Sequence, residues 1–110
     1  MERFVKGDVV VIPFPYSDLS DSKKRPALVL YDSGDRDILL CQITSKVGKI
    51  DSRVSLDKSD FKVGLLPLSS FIRPNRLFSA QRSIVLRKLW TVSNDKYQEV
   101  RNYIVQLLDG

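Results

Sequence analysis

A chain of 110 residues, 43% hydrophobic and 28% charged, can bury one modest core but not two, and that balance excludes a disordered chain. The formal charge of +5 and a pI near 9.5 favour an anionic partner: a phosphate backbone, an anionic lipid surface or an acidic protein. With no histidine and one cysteine, histidine-based triads, most zinc sites and an internal disulfide are excluded.

The opening "MERFVKGD" lacks the apolar centre of a signal peptide, and no apolar run approaches the roughly 20 residues that span a bilayer, so the chain is expected in the cytoplasm. "GDVVVIPFPY" is β-branched from Val9 to Ile12 and predicts a strand that two prolines end. "SDLSDSKK" consists of turn formers and charges and reads as a loop. "RPALVLYD" predicts a second strand, with Pro26 tolerated at its start; "DSGDR" is a turn, and "DILLCQIT" the third strand of a hairpin. The continuous apolar runs "VVVI", "ALVLY" and "ILLCQI" predict strands covered on both faces. "SRVSLD" alternates as a short, half-exposed strand does, and "KSDFKVGLLP" reads mostly as loop. "SSFIRPNRLFSAQRSIVLRKLW" predicts two or three short strands, interrupted at Pro74-Asn75 and near Ala80-Gln81.

The period then changes. Tyr97, Val100, Ile104, Leu107 and Leu108 recur at three- and four-residue steps, the stripe of an amphipathic helix, with Ser93 or Asn94 placed to cap it. Many short strands followed by one helix give an α+β class, a small strongly bent β-barrel with a C-terminal α-helix, in a single domain over residues 1–110.

Charge and hydroxyls mark where chemistry could sit. Between Asp60 and Asp95 no acidic residue occurs, while Lys62, Arg73, Arg76, Arg82, Arg87 and Lys88 fall inside that interval, a block that reads as a basic face. In "KKRPALVL", Pro26 restricts Arg25 to extended conformations, so its planar fork of donors leaves the loop at a fixed angle. In "CQITSK", Thr44 and Ser45 end an apolar strand, and an antiparallel hairpin brings them to the same sheet edge as Arg25. The plainer alternative is that the cations are a solvated loop and the hydroxyls ordinary turn residues. Cys41, within "ILLCQI", reads as a buried small hydrophobe.

In their order along the chain, "GDVVVIPFPYSDLSDSKKRPALVL", "QITS", "SFIRPNRLFS" and "IVLRKLW" resemble the PemK and MazF toxins of bacterial type II toxin–antitoxin modules. The resemblance covers nearly the whole chain. It implies a Src-homology-3-like barrel, a homodimer, an acidic antitoxin partner, and metal-independent endoribonuclease activity on single-stranded RNA with no cofactor. The family's catalytic arginine falls on Arg25 and its catalytic threonine on Thr44, with Ser45 in support. Two features depart from the family pattern: "SDLSDSKK" replaces a glycine-rich approach to the Arg-Pro, and Trp90 stands where a glycine is expected after "RKL".

The chemistry is coherent with these residue types. RNA carries its own nucleophile, the 2′-hydroxyl, so a nuclease need only align it, take its proton and neutralise the charge that grows on the phosphorus oxygens. Arg25 would stabilise that charge and assist protonation of the leaving oxygen, and Thr44 would orient the 2′-hydroxyl or a phosphate oxygen; the base stays unassigned. Arg73, Arg76 and Arg87, then Lys23 and Lys24, are the expected contacts to the RNA backbone. Phe71 and Phe78 could stack bases or face the core. Two rival readings remain: a non-catalytic or degenerate barrel that binds RNA or protein, and a gyrase poison of similar fold. The latter resemblance calls for a tryptophan at the extreme C-terminus, where this chain has "QLLDG".

Overall fold

Gly7 takes a φ of +98°, open to glycine and strained for other residues, and this turn delivers the β-branched run into strand β1 (Asp8–Phe14). The structure is a computed structural model and describes residues 3–14, 23–44, 54–63 and 70–110. Strands β2 (Lys23–Asp32) and β3 (Asp37–Thr44) follow, joined by a turn in which Gly34 has φ +89° and donates its N–H to Asp32 Oδ1 at 2.8 Å. Then come β4 (Val54–Leu56), β5 (Phe61–Val63), β6 (Ser70–Gln81), β7 (Arg87–Val92) and the helix α1 (Asn94–Asp109). Short 3-10 turns at Lys58–Asp60 and Arg82–Ile84 precede β5 and β7. The strands form one antiparallel sheet in the order β4-β6-β3-β2-β1-β7-β5. This is the bent α+β sheet with a C-terminal helix expected from the sequence.

Both faces of the central strands are covered, because neighbouring residues enter different cores. Val9, Leu28, Leu30, Cys41, Ile43 and Ile72 pack on one side together with Val100 of the helix. Val10, Ile12, Ala27, Val29, Ile38 and Leu40 pack on the other. Helix α1 is capped by Ser93, whose Oγ accepts the Lys96 N–H at 3.2 Å. Its stripe is only partly used: Tyr97, Val100 and Ile104 join the core, whereas Leu107 and Leu108 stay exposed. No helix among the described residues is long and apolar enough to cross a membrane.

Three elements differ from the expectation. β1 continues through Pro13 to Phe14, opposite Lys24 and Lys23. The Val11 carbonyl accepts a bond from the β7 side, so the next residue of that phase, Pro13, points its missing donor to the side where β7 no longer pairs. "KSDFKVGLLP" contains β5, held by pairing with β7; three residues carry too little pattern to announce a strand. The break expected at Pro74-Asn75 is instead a bulge within one twelve-residue strand.

Trp90 lies opposite Val9 on β7 and meets Phe61 edge-to-face at 5.5 Å between ring centroids, so the departure at this position fills the core beside α1.

Candidate functional site

Backbone register decides which polar groups meet. β2 and β3 pair Leu28 with Cys41 and Ala27 with Gln42, and the ladder ends there. Pro26 explains the stop: it is the next residue of the phase that faces β3, and it has no N–H to give. Continuing the register by two residues sets Arg25 opposite Thr44. These two side chains therefore leave the same sheet face at the same end, just beyond the last β2–β3 pair. Arg25 is half-buried and Thr44 buried.

The row extends sideways. Arg25 pairs with Ile12 on β1, Thr44 with Phe71 on β6, and Phe71 with Ser55 on β4. Ile12, Arg25, Thr44, Phe71 and Ser55 thus share one face. The apolar end of the row is buried at Ile12, which is 1% exposed, and exposure rises toward Arg25, Phe71 and Ser55.

Beside this row β6 bulges. Cys41 pairs with Leu77 and Ile43 with Ile72, so four residues, Arg73 to Arg76, stand opposite the single residue Gln42. The Cys41 thiol donates to the Arg73 carbonyl at 2.9 Å. Burial pushes that thiol's pKa up to about 12, which keeps the donor protonated. Alternation from Ile72, a core residue, puts Arg73 on the face of Phe71 and Thr44. Its Nε is buried without a hydrogen-bond partner among the described residues. Arg76 is exposed at the end of the bulge.

Other sequence candidates separate. Lys24 is exposed opposite Pro13. Lys23 begins β2, but its side chain and the whole of Ser45 lie outside the described residues. Arg87 is exposed and pairs with Val11, the neighbour of Ile12, so it leaves the opposite face from Arg25. The acid-free interval is therefore not one continuous basic face. Arg82 corrects it most clearly: it is 8% exposed and forks onto both Asp32 oxygens, Nη1 at 2.6 Å to Oδ2 and Nη2 to Oδ1. That guanidinium, helped by the Phe4 and Gly34 amides, holds the Asp32 carboxyl well below the usual carboxylate range against its burial.

Sequence reasoning missed the place of Gln42 opposite the bulge, the anchoring role of Cys41 and the burial of Lys96. Proline inside a strand pattern was the available signal for the bulge. Nothing local marks Lys96, a lysine at a helix start whose partners are distant in sequence. Among the described residues no cluster of three or more His, Cys, Asp or Glu could hold a metal ion.

Residues 5–108 match the family model described as PemK-like, MazF-like toxin of type II toxin-antitoxin system. A search of curated proteins finds no match. Among solved structures, a MazE-MazF complex from Deinococcus radiodurans is similar with TM-score 0.78 at 23% identity, covering 99% of this chain and 98% of that one. MazF alone from the same organism gives TM-score 0.74 at 24% identity, with full coverage of both chains. An endoribonuclease in complex with its cognate antitoxin from a Mycobacterial species gives TM-score 0.74 at 14% identity, covering 99% and 96%. At such identities the likeness establishes the fold.

Proposed function

Because this chain belongs to the PemK-like, MazF-like toxin family of type II toxin–antitoxin systems, we propose that it is a metal-independent endoribonuclease, cleaving single-stranded RNA at a short motif and neutralised by an acidic antitoxin. The observation that carries this reading is the β2–β3 register, whose last pair is Ala27 with Gln42 and whose continuation by two residues would set Arg25 across from Thr44. The solved neighbours described as an endoribonuclease and as a complex with an antitoxin support the same activity and partner.

In the reaction the 2′-hydroxyl loses its proton and its oxygen attacks the adjacent phosphorus. The bond to the 5′-oxygen breaks, that oxygen takes up a proton, and a cyclic phosphate remains. Arg25 offers a planar set of donors to the oxygens on which charge accumulates. A guanidinium is no base at neutral pH; it assists protonation of the leaving oxygen, with water as the proton source. Thr44, held by β6 on its other side, orients the 2′-hydroxyl or a non-bridging oxygen, with Ser45 next to it in sequence. Arg73 and Arg76 on the bulge, Lys24, Lys23 and, from the other face, Arg87 hold the RNA backbone. The enzyme acts as a homodimer.

Incubation of the purified protein with a long RNA of defined sequence, in the presence of a chelator, tests this reading by the position and chemistry of the cut ends. Discrete cuts ending in cyclic phosphate are expected. Arg25→Ala and Thr44→Ala should each lower the rate by about 100-fold or more with little change in melting, since neither side chain belongs to the two core clusters. Arg25→Lys should recover little, because a point charge does not replace the fork. Cleavage that requires added metal would remove the metal-free mechanism, and wild-type rates in Arg25→Ala would move the site elsewhere.

A further inference from the structure

We propose that Gln42, together with Arg73 of the β6 bulge, binds the nucleotide next to the cleaved phosphodiester and sets the enzyme's base preference at that position. The proposal rests on the ribonuclease reading above and adds to it a specificity-determining residue.

Position comes first. Gln42 shares the sheet face of Thr44 and lies two residues from it, about 7 Å along a strand, within reach of a neighbouring nucleotide when the reacting phosphate is at Thr44. It faces Ala27 across the last pair of the β2–β3 ladder. Ala27 is small and buried in the second core cluster, so it does not reach over Gln42. On its other side Gln42 faces the four-residue bulge, so neither neighbouring strand sets a bulky cross-strand partner against it. Gln42 itself is half-buried.

Chemistry comes second. A glutamine amide presents a donor and an acceptor together, the pattern needed to read the edge of an unpaired base. Arg73 supplies the complementary contact. Its Nε is buried and unpartnered among the described residues, and a buried donor left in that state costs roughly 1–3 kcal/mol. The side chain as a whole is only half-buried, and turning it toward a phosphate oxygen of the bound nucleotide would satisfy that donor. Phe71 and Phe78, both half-buried, pair with Thr44 and Leu40 on either side of Gln42.

Rigidity comes third, because discrimination needs groups that stay in place. The bulge is fixed from below by the Cys41 thiol on the Arg73 carbonyl. Pro74 and Leu77 line a cavity of about 350 Å³ with Ile104, Leu107 and Leu108 of α1, so the C-terminal end of the helix flanks the bulge from the other face.

The experiment maps cut ends on one long RNA of defined sequence for wild type, Gln42→Leu and Gln42→Glu, alongside melting and kcat/KM on a short substrate carrying the wild-type motif. Gln42→Leu keeps a side chain of similar bulk and removes both hydrogen-bonding groups. It should broaden the preference at one position of the motif, leave the others intact, and reduce kcat/KM on the wild-type motif by roughly tenfold or more. Gln42→Glu removes the donor alone and should change the favoured base at that same position; it also decides the matter where Gln42→Leu does not fold. An unchanged preference at every position in a folded variant overturns the role of Gln42 while leaving the ribonuclease reading standing. Absence of any cleavage by wild type overturns both.

Discussion

Asp32 shows how one residue can be informative in the structure and silent in the sequence. It ends β2, accepts the Phe4 and Gly34 amides at 2.8 Å each, and receives the fork of Arg82. Three segments distant in sequence thus meet on one buried carboxylate. The folded-state pKa is depressed below the ordinary value, so the pairing stabilises the fold fully above about pH 4, the unfolded value. That contribution disappears as pH falls through the depressed folded value. Asp32→Asn should therefore melt earlier than wild type at neutral pH, and the gap between them should narrow steadily below about pH 4; a constant gap across an acid titration followed by thermal melting would deny the pair this role. Arg82→Met should be far more damaging to melting than Arg76→Ala, since it strands a buried charge where the other removes an exposed one. In the sequence both residues are merely charged. Arg25 and Thr44 could be singled out as candidates because Pro26 and the strand ends constrain them locally, whereas the burial of Arg82 depends on contacts no local pattern records.

At the scale of elements, α1 does more than cover the sheet. Lys96, in its first turn, is 6% exposed and spends its ammonium on the Ser55 carbonyl at 2.9 Å and Glu99 Oε1 at 3.0 Å, with Asp60 Oδ2 at 3.6 Å. Through Ser55 the helix holds β4, a three-residue edge strand, and Ser55 pairs with Phe71, which pairs with Thr44. Lys96→Met keeps the apolar stem and drops the donors. It should cost about 1–3 kcal/mol, the worth of a partly buried hydrogen bond from a charged donor, and speed amide exchange in β4 more than in β2 or β3. Lys96→Arg should restore part of both. Equal exchange in all strands would show that the lysine supports the fold without holding that edge. Elements with long patterns were legible from sequence: β3 ran from Asp37 to Thr44 as its apolar run announced, and α1 followed its stripe. β5 and the bulge were not, because each is defined by what it pairs with.

The whole molecule leaves apolar surface without cover. Leu77, Val105, Leu107 and Leu108 are each 39% exposed or more, and all but Val105 line the cavity between β6 and the end of α1. A monomer gains nothing from exposing these side chains together, and an isologous pairing of two copies is the ordinary way to bury such a patch. Sedimentation at micromolar concentration should give a species of twice 12.6 kDa, and a Leu77→Glu, Leu108→Glu double variant should shift it toward the single-chain mass. A wild-type protein that sediments at 12.6 kDa would argue against the homodimer. The helix stripe hinted at this surplus from sequence; which of its residues the sheet would leave over depended on where α1 crosses it.

The sheet order also sets a timetable. β2 and β3 close across the short turn at Gly34, so the end that carries Arg25 and Thr44 needs only a local hairpin, with little loop entropy to overcome. β6 joins β3 across a long stretch of intervening chain, and closes later. A ribosome releases the chain from its N-terminus, so the groups assigned to bond breaking, and Gln42 in the same hairpin, are in register before the β6 bulge that carries Arg73 exists. Substitutions at Ala27 should then slow refolding, and those at Ile72 or Leu77 chiefly hasten unfolding. An incomplete chain would hold a half-built scissor with only half of what aims it.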